Sequence, residues 1–275
     1  MKKIITYFFI LSLTGCSLAS IGYDYADWLI KKRIMEVVKF YSPQQNKLEA
    51  HLDKFMAWHR KEMLPVYAAD LKDLKSRLLK SEAKPMKAKE VEDKLLLLRS
   101  RYYESFLPLS VSIAPLLAEL GDEQVTRTQT LLDRKLQDLR DKRKILKKEI
   151  IKQSLQTWTD NFEEWLGTLS KEQRMALEAG IGEIYVSPSI RLARYTTRTT
   201  QFLAIFENEK ALEREKDLKD YFNSWKNEVG YTTWRKKASV LIAKVYSMSD
   251  AVQRKTLIRK LDKWIRIIEG LVKDQ

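Results

Sequence analysis

Four times along this chain the same short signal announces the start of a helix. Ser42-Pro43-Gln44-Gln45 and Ser170-Lys171-Glu172-Gln173 have the form S-x-x-Q. Asp250-Ala251-Val252-Gln253 is a D-x-x-Q variant, and Gly121-Asp122-Glu123-Gln124 keeps the Gln with Gly at the cap. In such a capping box the first side chain accepts from the third helical amide, and the glutamine reaches back to the cap amide. Ser187-Pro188 adds a fifth start, with proline where its missing N–H does no harm. Only 8 Gly and 6 Pro occur in 275 residues. Turns are therefore scarce, and a β-sandwich or a glycine-rich nucleotide fold is excluded in favour of long helices.

The spacing predicts helices at about 24–41, 43–81, 87–119, 122–167, 171–185, 188–225, 231–247 and 250–272, the sixth breaking near Asn208. The fourth is the longest. Its seam runs through Leu132, Leu136, Leu139, Leu146, Ile150, Trp158, Phe162 and Trp165. Its middle, Arg134 to Lys152, holds nine Lys/Arg against three Asp/Glu. The last helix repeats the design, with Leu257, Leu261, Trp264, Ile268 and Leu271 on one face and Arg254, Arg259, Lys263 and Arg266 opposite. Both patterns describe amphipathic helices with a buried seam and a cationic outer face. The fold class expected is all-α: an elongated bundle of about eight helices. It has two lobes, 23–120 and 121–275, meeting near Gly121.

The N-terminus carries an address. Lys2 and Lys3 precede a ten-residue, mainly apolar stretch, Ile4 to Leu13, too short to span a bilayer. Leu13-Thr14-Gly15-Cys16 follows and contains the only cysteine. This resembles the lipobox of bacterial lipoproteins. The resemblance implies a signal peptide at 1–15, lipid on Cys16 and a short tether over 16–22. Ser17, with no Asp after the cysteine, points to the periplasmic face of the outer membrane. With one cysteine, no disulfide framework is available. Phe106 to Ala118 is thirteen residues without a charge and reads as a buried core segment.

Candidate chemistry is sparse. His51 and His59 are the only histidines, and no H-E-x-x-H accompanies them. His59 falls on the stripe Leu52, Phe55, Met63, Val66, and reads as a packed histidine bonded to a carboxylate. Arg191, Arg194 and Arg198 form a stripe on the helix after Pro188. It is the candidate anion-binding site, because guanidinium matches phosphate and carboxylate in bidentate geometry. Its competing role is pairing with Glu163, Glu164, Glu172 or Glu183. No P-loop, G-x-G-x-x-G or G-x-S-x-G is present. No catalytic residue, metal or cofactor is assigned. The formal charge of +14 and the export signal point to an anionic envelope component or an envelope protein as partner, rather than nucleic acid.

Tyr25-Ala26-Asp27-Trp28-Leu29 and Trp58-His59-Arg60-Lys61-Glu62-Met63-Leu64-Pro65-Val66-Tyr67-Ala68 together resemble an uncharacterised lipoprotein family of Gram-negative bacteria. Met63 departs from the acidic residue more usual there. The resemblance implies an all-helical, membrane-anchored protein and adds no catalytic residue. Leu169-Ser170-Lys171-Glu172-Gln173 is also similar to helix starts in small periplasmic chaperones of the Spy and CpxP type. The leading expectation is a non-enzymatic envelope interaction protein. A chaperone for unfolded chains is the alternative, and an enzyme the remote one.

Overall fold

A computed structural model describes residues 22–80, 85–225 and 232–273. Those residues form twelve α-helices and no strand. The first six are α1 (Ala26–Met35), α2 (Ser42–Trp58), α3 (Leu64–Leu79), α4 (Ala88–Ser112), α5 (Ala114–Ala118) and α6 (Asp122–Lys142). The second six are α7 (Lys147–Leu166), α8 (Lys171–Ile181), α9 (Pro188–Ala204), α10 (Ala211–Ser224), α11 (Thr232–Ser247) and α12 (Ala251–Lys273). One π-helical turn, His59–Met63, joins α2 to α3. The all-α expectation holds, and the break near Asn208 is present.

The glutamine signals do more than start helices. In each box the Gln Oε1 accepts from the cap N–H: Gln44 from Tyr41, Gln124 from Gly121, Gln173 from Ser170 and Gln253 from Asp250. The cap of α2 is therefore Tyr41, one residue before the Ser42 read from the sequence. The four glutamines then interlock in two pairs. Gln124 Nε2 donates to Gln44 Oε1 at 2.8 Å and to the Lys39 carbonyl at 2.6 Å. Gln253 Nε2 donates to Gln173 Oε1 at 2.9 Å and to the Thr168 carbonyl at 2.8 Å. Gln124, Gln173 and Gln253 are buried. Each pair spans the same 80 residues.

The same step of 129 residues, from 44 to 173, carries the first pair onto the second, and Lys39 onto Thr168. It also carries one core onto the other. Phe40, Leu48, Leu52, Phe55, Ala114, Leu116 and Leu117 are buried in one cluster. Leu169, Leu177, Ile181, Ile184, Ala243, Val245 and Tyr246, at the shifted positions, are buried in the other. Leu132 and Leu136 on α6 answer to Leu261 and Ile265 on α12, and all four are buried. The fold is thus two copies of a six-helix unit, α1–α6 and α7–α12.

The copies are exchanged against each other. α12 of the second unit packs on α3 of the first, and α6 of the first on the corresponding α9 of the second. Likewise α11 packs on α4, and α5 on α10. Each core therefore draws on both sides of Gly121, and the packing does not follow a division into 23–120 and 121–275.

The unit boundary falls at 143–146, inside the stretch read as one long helix. No Gly or Pro marks it. The chain breaks there because α6 and α7 bury their seams against different partners, α9 for one and α8 with α12 for the other. Leu146 takes extended dihedrals as the α7 cap and is exposed, off the seam where the sequence put it. Gly167, at φ +84°, ends α7 in the left-handed region and turns the chain toward Ser170. Of the segment Phe106–Ala118, Leu109, Ile113, Ala114, Leu116, Leu117 and Ala118 are buried as expected, whereas Phe106 and Pro108 at its start are exposed.

Removing one glutamine strands buried donors and acceptors on its partner, at about 1–3 kcal/mol each. Gln173→Ala is therefore expected to lower unfolding free energy by about 2–4 kcal/mol in urea melts, against at most about 0.5 kcal/mol for the exposed Gln137→Ala. Adding Gln253→Ala should cost less than the sum of the two single changes. Additive losses would show that the amides do not act as a pair.

Candidate functional site

Residues 23 and 24, just before α1, join a polar cluster that the capping glutamines do not explain. Tyr23 Oη lies 2.9 Å from His59 Nδ1, and Tyr67 Oη lies 3.3 Å from His59 Nε2. Tyr67 Oη also hydrogen-bonds Ser105 Oγ, which donates to the Arg101 carbonyl at 2.6 Å. Beside this chain Arg60 holds Asp24 at 3.4 Å and stacks on the Tyr23 ring. Arg101 is shared between Asp70 and Glu104, each at 2.7 Å. The π turn makes this possible. It inserts one residue between α2 and α3 and swings His59 between two tyrosines.

His59 is packed, as its position on the apolar stripe implies, but its partners are hydroxyls and not a carboxylate. Of the acids nearby, Asp24 pairs with Arg60, Asp70 and Glu104 pair with Arg101, and the exposed Glu62 lies by Lys61. Burial holds the His59 imidazole below its ordinary 6.5. Burial also raises the Tyr23 and Tyr67 hydroxyls above 10, so both stay protonated. A neutral imidazole accepts at one nitrogen and donates at the other, which suits two hydroxyl neighbours. Ser105 is buried and its oxygen is engaged on both sides. What the cluster does is fasten residues 23 and 24 to the body.

The arginine stripe divides. Arg191 is exposed, while Arg194 and Arg198 are half-buried. The Arg198 guanidinium lies 4.8 Å from the Trp225 ring centre. Two of the acids considered as partners are bonded to other cations, Glu163 to Arg174 and Glu183 to Lys237. Glu172 is held below its usual range by hydrogen bonds at the start of α8.

The cationic faces are partly as expected. Residues 140–149, around the unit boundary, are all exposed and hold six Lys/Arg against Asp141 and Glu149. On α12 Arg259 and Arg266 are exposed, but Arg254 donates twice to the Ser249 carbonyl at the end of α11. Trp264 is 40 % exposed, with Leu261, Ile265, Ile267 and Leu271 as the buried face of that helix. The seam turns past Trp264 because α12 packs between α3 and α7 rather than against one neighbour.

Cys16, the expected lipid attachment point, lies outside the described residues, as do the signal peptide and most of the tether. Among the described residues no helix is long and apolar enough to cross a membrane. No group of His, Cys, Asp and Glu there could hold a metal ion.

An all-helical chain of two exchanged units is the class these observations define. The chain belongs to the family of unknown function DUF6279, which it matches over residues 36–229. That match takes in most of the first unit and part of the second, and stops before α11. No curated protein and no solved structure matches the chain.

The depressed His59 pKa has a stability consequence. Below pH 6.5 the unfolded chain takes up a proton that the folded chain resists, so stability is full above that pH and falls as pH drops toward the folded value. His51 is shifted the same way by burial and Lys54. Urea midpoints between pH 7.5 and 5 are expected to fall, with a shallower fall in His59→Gln. Equal slopes in both proteins would remove His59 as the cause.

Proposed function

We propose that the protein is a non-enzymatic interaction protein of the cell envelope. Lipid on Cys16 holds it at the periplasmic face of the outer membrane, and its cationic surface contacts an anionic envelope component. The observation that carries this reading is the boundary segment 140–149. Six cations stand on one exposed helical tip, with Lys144–Asp141 the ion pair within it. Each Lys or Arg near an anionic surface contributes about 1 kcal/mol. Arg191, on the helix that packs against α6, extends the basic character, and with Arg194 and Arg198 it remains the candidate anion site.

Affinity for a phosphate-bearing lipopolysaccharide oligosaccharide tests this, with the protein held in neutral-lipid discs. The expected result is binding that falls at least tenfold between about 10 and 150 mM salt, as the screening length shortens from about 30 to 8 Å. Reversing Lys142, Arg143 and Lys147 to Glu should weaken binding at least tenfold and flatten its salt dependence. Binding unchanged by the reversal would take the tip out of the contact.

One observation favours the chaperone reading as second choice. Leu98, Tyr102 and Phe106 stand one turn apart on α4 and are exposed. An exposed apolar stripe is what a holder of unfolded chains presents. Near-equimolar protein should then suppress light scattering by a denatured client, and Leu98→Ser with Tyr102→Ser should abolish the effect. Equal suppression by the variant would move the activity off this stripe.

A further inference from the structure

Helix α1 carries large apolar side chains on two faces, and the core uses one of them. Ile30 and Ile34 pack into the cluster around Leu48 and Phe40. Tyr25, Trp28 and Leu29 point outward, at 61, 54 and 48 % exposure. Their spacing of i, i+3 and i+4 puts all three on one strip. Lys32 continues that strip, with its ammonium 5.2 Å from the Trp28 ring centre. The flanking cations are taken: Lys31 pairs with Glu49, and Arg33 with Glu36 at 2.7 Å.

The duplication shows that this face is packed in one copy and left exposed in the other. The counterpart of α1 in the second unit is the C-terminal half of α7. There Trp158, at the position equivalent to Leu29, is half-buried and packs on the core. α7 lies against both α8 and α12. α1 packs chiefly on α2, the equivalent of α8, and among the described residues Tyr25, Trp28 and Leu29 on its other side are exposed.

We infer that α1 lies flat on a phospholipid bilayer, with Tyr25, Trp28 and Leu29 in the headgroup–acyl boundary and Lys32 among the lipid phosphates. The inference rests on reading Cys16 as the lipid anchor. Nine residues lead from Cys16 to Tyr25, a reach of at most about 30 Å. The Tyr23–His59 and Asp24–Arg60 contacts fasten the chain just before the helix. A lipid on Cys16 therefore keeps α1 beside the membrane. Trp and Tyr are the side chains that favour this boundary, because their rings are apolar and their N–H or O–H needs a polar partner. A single tether would leave the body free to swivel; a second contact through α1 sets which surfaces face the lipid.

The test uses the full lipoprotein in phospholipid vesicles, with Leu29→Cys carrying a polarity-sensitive fluorophore and Leu212→Cys on α10 as the exposed control. At position 29 the emission should shift to the blue and be quenched at least twofold by lipids brominated near the headgroup. Position 212 should show neither change. Tyr25→Ser with Trp28→Ser should abolish quenching at 29 while the protein stays vesicle-bound. Acylated protein with no quenching at 29 overturns the inference and leaves the anchor standing. A blue shift without quenching puts a protein partner on this face, and overturns it too. Protein found by mass to be unacylated at Cys16 overturns both.

Discussion

Two pairs of glutamines hold this fold in register. Each amide completes the cap of its own helix and binds the amide that caps another, and most of them do so out of water. A buried carboxamide left unpaired costs more than the bond it makes contributes. The four helix starts must therefore arrive together, α2 with α6 and α8 with α12. Once they do, the long helices have few options left. α6 and α12 reach across to the other copy and pack on α9 and α3. Neither core closes without residues from both copies.

Duplication also separates what the fold needs from what it does not. Positions buried in both copies, such as Leu48 with Leu177 or Leu136 with Ile265, are packing. Departures from the repeat are where a specific role can reside. His59 stands at the position of Pro188, so the Tyr23–His59–Tyr67–Ser105 chain has no second copy. Ile267 and Leu271 are buried near the end of α12, while their counterparts Asp138 and Lys142 on α6 are exposed. The cationic tip and the outer face of α1 thus lie outside the shared core. In the functional reading these are the surfaces turned toward the envelope.

Much of the frame was legible because capping is local chemistry. A glutamine three residues into a helix can be recognised without knowing where the helix goes, and all four starts are real to within a residue. What the glutamines do next was not legible, since their partners lie 80 residues away. Amphipathic periodicity found the helices but misassigned Leu146 and Trp264. Period alone assumes one continuous seam, whereas α6 with α7, and α12, change partners along their length. The π turn at His59 carries no composition signal, so a carboxylate partner was expected where two tyrosines stand. The arginine stripe was found as residues; its division between an exposed Arg191 and an Arg198 stacked on Trp225 comes from helices that pack around it.

By itself the sequence determined an all-helical chain, because turns are scarce, caps are local and apolar residues recur at helical spacing. It also carries a net charge of +14 and the lipobox-like run Leu13-Thr14-Gly15-Cys16. Only the tertiary structure decided that the chain is two exchanged copies of one unit, that the boundary sits at 143–146, and that Tyr25, Trp28 and Leu29 face outward. The physical reason is range. Helix formation is settled within a few residues, while the burial of a seam and the pairing of an amide depend on which distant surface arrives to meet them.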